Sequence, residues 1–293
     1  MRNDPVATAR GSDTQLRYMK VALLAKLALA TQLAVIAVAL SLDPVSAQTE
    51  TKKATPDEKA QQIVQRAIQV VGGDRYLSVK TVIGHGFFTE YKDGVSGIPM
   101  KFVDYIVYPD KERTEFIGGG QRLIQTNDRD HGWIFDAAAR TLKDQNTTQL
   151  EDFRLAMRTS VENLLRGWWR AQGAKLSYVG RREAGVGRRN ETVKLAYPDG
   201  FWIEYEFAAG EGLPAKVIYE RKHKKPDSDE MEELTEEDRL LKPVTIDGVV
   251  TPYVIDHFRN GIQTSRINYE SVELNKTIAD SLFAKPANIK AIK

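Results

Sequence analysis

The longest apolar run lies near the start of the chain. From Val21 to Leu42 it reads VALLAKLALATQLAVIAVALSL, interrupted only by Lys26, Thr31, Gln32 and Ser41. Lys20 and Arg17 precede the run, and Asp43 and Pro44 stop it. Val45 and Ala47 then put small side chains at the −3 and −1 positions of an export cleavage site. Residues 1–47 are therefore expected to form a signal peptide, starting at Met1 or at Met19 and cleaved near Ala47, leaving an exported protein. The alternative is a membrane anchor over Val21–Leu42, because an apolar run of this length can span a bilayer.

The pattern then becomes helical. Residues 48–54 are polar and read as a flexible lead. Thr55-Pro56-Asp57-Glu58 supplies a capping hydroxyl, a proline at the first helical position and an acid at the third. Ala60, Ile63, Val64, Ala67, Ile68 and Val71 follow on one face, and Gly72-Gly73 closes the helix.

From Thr81 the period falls to two, with frequent turn signals. This predicts strands over Val82–Tyr91, Lys101–Tyr108, Arg113–Ile117, Arg122–Thr126 and Gly132–Asp136. A second helix is predicted over 149–171, with Leu150, Phe153, Met157, Val161, Leu164 and Trp168 as its stripe. Further strands follow over Leu176–Glu183, Asn190–Tyr197, Phe201–Phe207, Ala215–Lys222, Val244–Ile246, Tyr253–Arg259 and Ile262–Glu273. Connections this short join antiparallel neighbours, and nothing alternates strand with helix as a parallel sheet requires. The expected fold is α+β and mainly antiparallel β. It is an open, incomplete curved β-barrel with helices as a lid, one domain over 55–288 with a tail at 289–293.

Charge and composition remove several function classes. Of 293 residues none is Cys, which excludes disulfides, a thiol nucleophile and thiolate metal sites. Lys and Arg total 42 against 40 Asp and Glu, and residues 1–47 carry five basic and three acidic side chains. The exported portion is thus neutral, and no nucleic-acid partner is expected. A block of acids (Asp227, Asp229, Glu230, Glu232, Glu233, Glu236, Glu237, Asp238) reads as a solvated hairpin excursion over 226–239. It lacks the central glycine of a calcium loop.

Candidate chemistry is sparse. The chain has no nucleophile elbow, phosphate loop or zinc helix. His85 or His257 could act as a base only beside a carboxylate that sequence cannot name. Glu204 and Glu206 could pair as a glycosidase acid and base, but they alternate with Phe201, Ile203, Tyr205 and Phe207. Alternation places them on the solvent face of a half-buried strand. No catalytic residue, cofactor or metal is expected. The apolar strand and helix faces stand out instead. Trp133, Phe135, Leu164, Trp168, Phe201, Ile203, Tyr205, Phe207, Val217 and Tyr219 are the candidate lining of a hollow for a hydrophobic ligand, each equally explicable as plain core.

Several short segments carry a family likeness. They are Val71-Gly72-Gly73 with Tyr76-Leu77-Ser78-Val79-Lys80-Thr81, Tyr108-Pro109-Asp110-Lys111, and Gly212-Leu213-Pro214-Ala215-Lys216. Asp247-Gly248-Val249-Val250-Thr251-Pro252-Tyr253, Val272-Glu273-Leu274-Asn275 and Ile278 to Pro286 complete the set. Across residues 57–287 the chain resembles the LolA/LolB-like periplasmic lipoprotein-carrier superfamily. The resemblance implies a helix-lidded half-barrel around an apolar cavity and a non-enzymatic carrier. Its partners would be a lipid or lipidated protein and an inner- or outer-membrane transport component. A stress-sensing branch of the group implies the alternative, a structural or regulatory envelope domain. With no Cys after Ala47, the soluble form is expected rather than the lipid-anchored receptor.

Overall fold

The computed structural model describes residues 55–224 and 230–292. The expected signal peptide and lead, and the acids Asp227 and Asp229, lie outside them. Helix α1 (Pro56–Val70) opens on a reciprocal cap, in which Thr55 Oγ1 accepts from the Glu58 amide and Glu58 accepts from the Thr55 amide. It buries the apolar stripe read from its sequence. Gly72 and Gly73 take positive φ, and the chain enters the short α2 (Asp74–Leu77).

The first meander runs β1 (Thr81–Lys92), β2 (Val95–Ser96), β3 (Met100–Val107), β4 (Lys111–Gly118), β5 (Gln121–Asp128), β6 (His131–Asp136) and β7 (Thr141–Asp144). The second runs β8 (Lys175–Glu183), β9 (Arg189–Ala196), β10 (Trp202–Ala208), β11 (Pro214–Lys224), β12 (Met231–Ile246), β13 (Val249–Arg259) and β14 (Ile262–Leu274). All pairs are antiparallel, in the order β7-β6-β5-β4-β3-β1-β14-β13-β12-β11-β10-β9-β8, with β2 on β1. Strands β7 and β8 stand at opposite ends of this order, so the curved sheet stays open. The expected half-barrel is the observed one.

The segment between β7 and β8 must travel from one edge to the other, and it carries the remaining helices. The single helix expected over 149–171 is instead three pieces: α3 (Thr147–Thr159), α4 (Val161–Leu165) and a 3-10 turn (Trp168–Gln172). Ser160 takes an extended conformation and caps α4 through the Asn163 amide, while Gly167 turns left-handed before Trp168. The hydrophobic period continues through both breaks, which hid them from the sequence pattern.

The acids of 231–239 belong to β12, a 16-residue strand. Up to Thr235 it pairs only with β11, so Glu232 and Glu233 stand in a hairpin extension, with Glu233 exposed. From Glu236 to Arg239 it pairs with both β11 and β13, and there the acids do not form a solvated excursion but are drawn into the sheet. Glu236 meets Arg221 Nε at 2.9 Å and Arg259 Nη2 at 2.8 Å, and Asp238 meets His257. Nor do Glu204 and Glu206 face solvent, being 7 % and 2 % exposed. They sit in a cross-strand ionic lattice with Arg182, Lys194 and Lys216, and Asn190 Nδ2 donates to Glu206 at 2.8 Å. Alternation correctly put them opposite Ile203 and Tyr205, but that outer face is salt-bridged rather than wet.

The outer face of the first meander is covered by the chain's own C-terminal segment. Trp133 Nε1 donates to the Phe283 carbonyl at 2.9 Å, and Arg113 Nη1 donates to the Leu282 carbonyl at 2.9 Å. Phe283 is 2 % exposed beneath the Lys111 ammonium. Truncating so buried an aromatic costs about 3–5 kcal/mol. Phe283→Ala is therefore expected to lose stability of that order in urea titration.

Candidate functional site

The inner face of the sheet, the helices and the turns after β8 and β10 border a half-open cavity of about 1400 Å3. Two structural features make room for it. Strand β11 begins at Pro214, whereas β12 and β13 continue beyond it as a two-stranded ribbon to Ile246 and Val249. The ribbon tip docks on the end of α1, where the Val250 amide donates to the Val71 carbonyl at 2.9 Å. Gly72 makes that contact possible, since a Cβ there would stand 2.6 Å from the Gly248 carbonyl oxygen. Aliphatic side chains of the sheet (Val82, Val217, Leu240, Ile255, Val272, Leu274) line the space, with Val71 and Leu165 from the helical side.

Arg166 fixes the helical wall. It donates to the carbonyls of Tyr76, Leu77 and Val79 at 2.9–3.2 Å and lies over the rings of Tyr76 and Tyr108, 4.6 Å from each centroid. Beside it Glu162 lines the cavity; burial pushes its carboxyl up, and the Arg166 charge pulls it partly back. Burial likewise pushes the phenols of Tyr76, Tyr108 and Tyr269 up, with Glu162 adding in the same direction.

Gly84-His85-Gly86 has a packing role here. The β1–β14 register shifts between His85 and Gly86, and a Cβ on Gly84 would come 2.6 Å from Cε1 of Tyr269. The glycines let the Tyr269 ring lie against the strand. His85 lies on the outer face beside Val103 and Ser271.

His257 is different. It lines the cavity, and its Nδ1 is 2.5 Å from Asp238 Oδ1, so the carboxylate that sequence could not name is present. Its Nε2 is buried with no partner among the described residues, as are the hydroxyls of Tyr76 and Tyr269. No hydroxyl nucleophile of the described chain is hydrogen-bonded to the imidazole.

The sequence-predicted lining divides four ways. Val217 lines the cavity. Leu164, Ile203, Tyr205, Phe207 and Tyr219 are packed solid in the core around it, with the Tyr205 hydroxyl donating to the Ser160 carbonyl at 3.2 Å. Phe201 is half-buried against Tyr197, Tyr219 and the Arg158 guanidinium, and Trp168 is half-buried in the 3-10 turn. Trp133 and Phe135 need correction. Their registers with Thr126 and Ile124 place them on the outer face, and the C-terminal segment covers Trp133. Period-two reading tells which residues share a face but not which face is concave. The polar lining had no local signal: Glu162 lies on a helix, Asp238 in a run of acids, and His257 is paired with Asp238 only once β12 and β13 are assembled.

The inner face also holds Asp104, opposite Gly84, accepting from Thr114 Oγ1 at 2.7 Å. Burial raises its carboxyl to about 7, and Glu112 nearby is raised further by burial and by Asp104. Folded Asp104 keeps its proton up to that pH, whereas unfolded Asp loses it near 4. Between about pH 4 and 7 the unfolded state thus binds fewer protons, and stability falls as pH rises, by up to about 1.4 kcal/mol per unit per proton. Urea midpoints are expected to drop across that window, and Asp104→Asn is expected to flatten the drop.

No family model matches the chain, and no curated protein matches it in sequence. Solved structures do match. A DUF1329 family protein from Desulfovibrio piger aligns with a TM-score of 0.53 at 11 % identity, covering 79 % of this chain and 98 % of that one. A putative outer membrane lipoprotein-sorting protein domain from Vibrio parahaemolyticus aligns with a TM-score of 0.50 at 12 % identity, over 78 % and 97 %. The chain therefore shares the fold of these two structures.

Proposed function

We propose that the protein is a non-enzymatic periplasmic carrier or binding protein, holding an apolar ligand such as a lipid or the acyl chains of a lipidated protein. The observation that supports this most is the cavity. Its volume exceeds the roughly 300–1,000 Å3 of ordinary small-molecule pockets, and aliphatic side chains from five strands and the helices line it. The fold it occupies is shared with a protein described as lipoprotein-sorting. Among the described residues no helix is long and apolar enough to cross a membrane, and no group of metal-ligating side chains gathers.

Filling the cavity is the direct test. Val217→Trp and Ile255→Trp each place an indole in the space, and each is expected to weaken binding of the neutral apolar dye Nile red at least about tenfold. Mass spectrometry of solvent extracts from natively purified protein is expected to show a co-purifying lipid that these variants lack. Failure of the wild-type protein to bind the dye or retain a lipid refutes the carrier function and leaves the envelope-domain alternative, acting through protein contacts.

A further inference from the structure

We propose that the cavity is built for a lipid bearing a neutral hydroxyl, and that the His257–Asp238 pair anchors that hydroxyl; the proposal rests on the carrier function above. Most of the lining is hydrocarbon, and an ordinary acyl chain asks nothing more of it. His257 is therefore an anomaly. The residue is 4 % exposed on the inner face of β13, lines the cavity, and leaves Nε2 buried with no partner. A buried polar nitrogen in that condition is costly unless something completes its hydrogen bond.

The chemistry of the missing partner follows from the pair. Asp238 Oδ1, 2.5 Å away, takes the Nδ1 proton, which fixes the ring's orientation. In the neutral ring Nε2 then offers a lone pair, and in the charged ring it offers a proton. A hydroxyl satisfies both, because it donates and accepts. A carboxylate or phosphate would bring a second negative charge toward Asp238, whose partner is the imidazole, whereas Glu236 on the same face is matched by Arg221 and Arg259. An alkyl or ether end would leave Nε2 without a donor.

The cavity also gives the hydroxyl a place relative to the rest of the ligand. His257 stands in a cross-strand row with Val217, Asp238 and Ser265, at one end of the lining. From there β13 carries Ile255 and then Val249 at the ribbon tip, eight residues away, or roughly 26 Å of strand. That length accommodates a long apolar body with its hydroxyl at the His257 end.

The test uses the exported chain and displacement of Nile red by three probes: 1-hexadecanol, its methyl ether and palmitate. The wild-type protein is expected to bind hexadecanol at least about tenfold more tightly than the ether, and more tightly than palmitate. His257→Phe is expected to reduce the preference over the ether to about twofold without weakening the ether itself. Tyr269→Phe is expected to keep the preference. Should the His257 variant not fold, the wild-type imidazole 15N resonances replace it: Nε2 of His257 is expected to shift with hexadecanol and not with the ether. Equal displacement by alcohol and ether overturns the hydroxyl assignment while leaving the carrier function standing, as does tighter binding of palmitate. Loss of the preference in Tyr269→Phe, or an unmoved Nε2 resonance, removes His257 as the anchor. Failure of every probe and of the dye itself refutes the carrier function instead.

Discussion

The pairing of β1 with β14 is the constraint on which the rest of the architecture depends. It joins the first strand to the last and so fuses two meanders into one sheet. With the ends of the order at β7 and β8, the chain between those strands has to cross from edge to edge, and α3 and α4 make that crossing. A closed barrel would have needed β7 to meet β8, leaving no reason for helices to face the interior. The hollow thus follows from strand order, and the aliphatic lining only keeps it apolar.

The same ladder shapes the inside of the hollow. At the His85/Gly86 register shift β1 gives up side-chain bulk, and the Tyr269 ring of the neighbouring strand takes the space against Gly84. Phe102 and Tyr253 meet that ring edge-on, with centroids 5.5 Å and 6.3 Å away. A side chain at Gly84 would move Tyr269 and alter the wall without touching any ligand. Asp104 sits opposite Gly84 in the next strand, where burial raises its carboxyl.

Much of this was legible in the sequence, for reasons visible residue by residue. The Thr55–Glu58 cap and the Gly72-Gly73 stop are local devices whose geometry depends on a few neighbours, and each appears where the pattern put it. The break at Ser160 was not legible, because the apolar stripe of α3 and α4 runs through it unchanged. Trp133 shows a different limit. Its alternation with Phe135 marks one face of β6, but only the return of Phe283 from the far end of the chain decides which face that is. Glu204, Glu206, Glu236 and Asp238 show a third. A run of acids reads as solvent-facing until the strands that bring Arg182, Arg221, Arg259 and His257 against them are assembled.

That third limit bears on function. The ionic pairs of β12 divide by face: Glu237 points outward with Arg239 and Lys216, while Glu236 and Asp238 point inward with Arg221, Arg259 and His257. On the inner face Glu236 spends its carboxylate on two arginines, one of which also reaches Asp152 of α3, and so ties helix to sheet. Asp238, with no arginine paired to it among the described residues, meets the imidazole instead. A strand whose inner acids were all matched by arginine would present a finished wall. Here the last pair is a carboxylate with a ring that lines the cavity and whose second nitrogen is buried with no partner among the described residues.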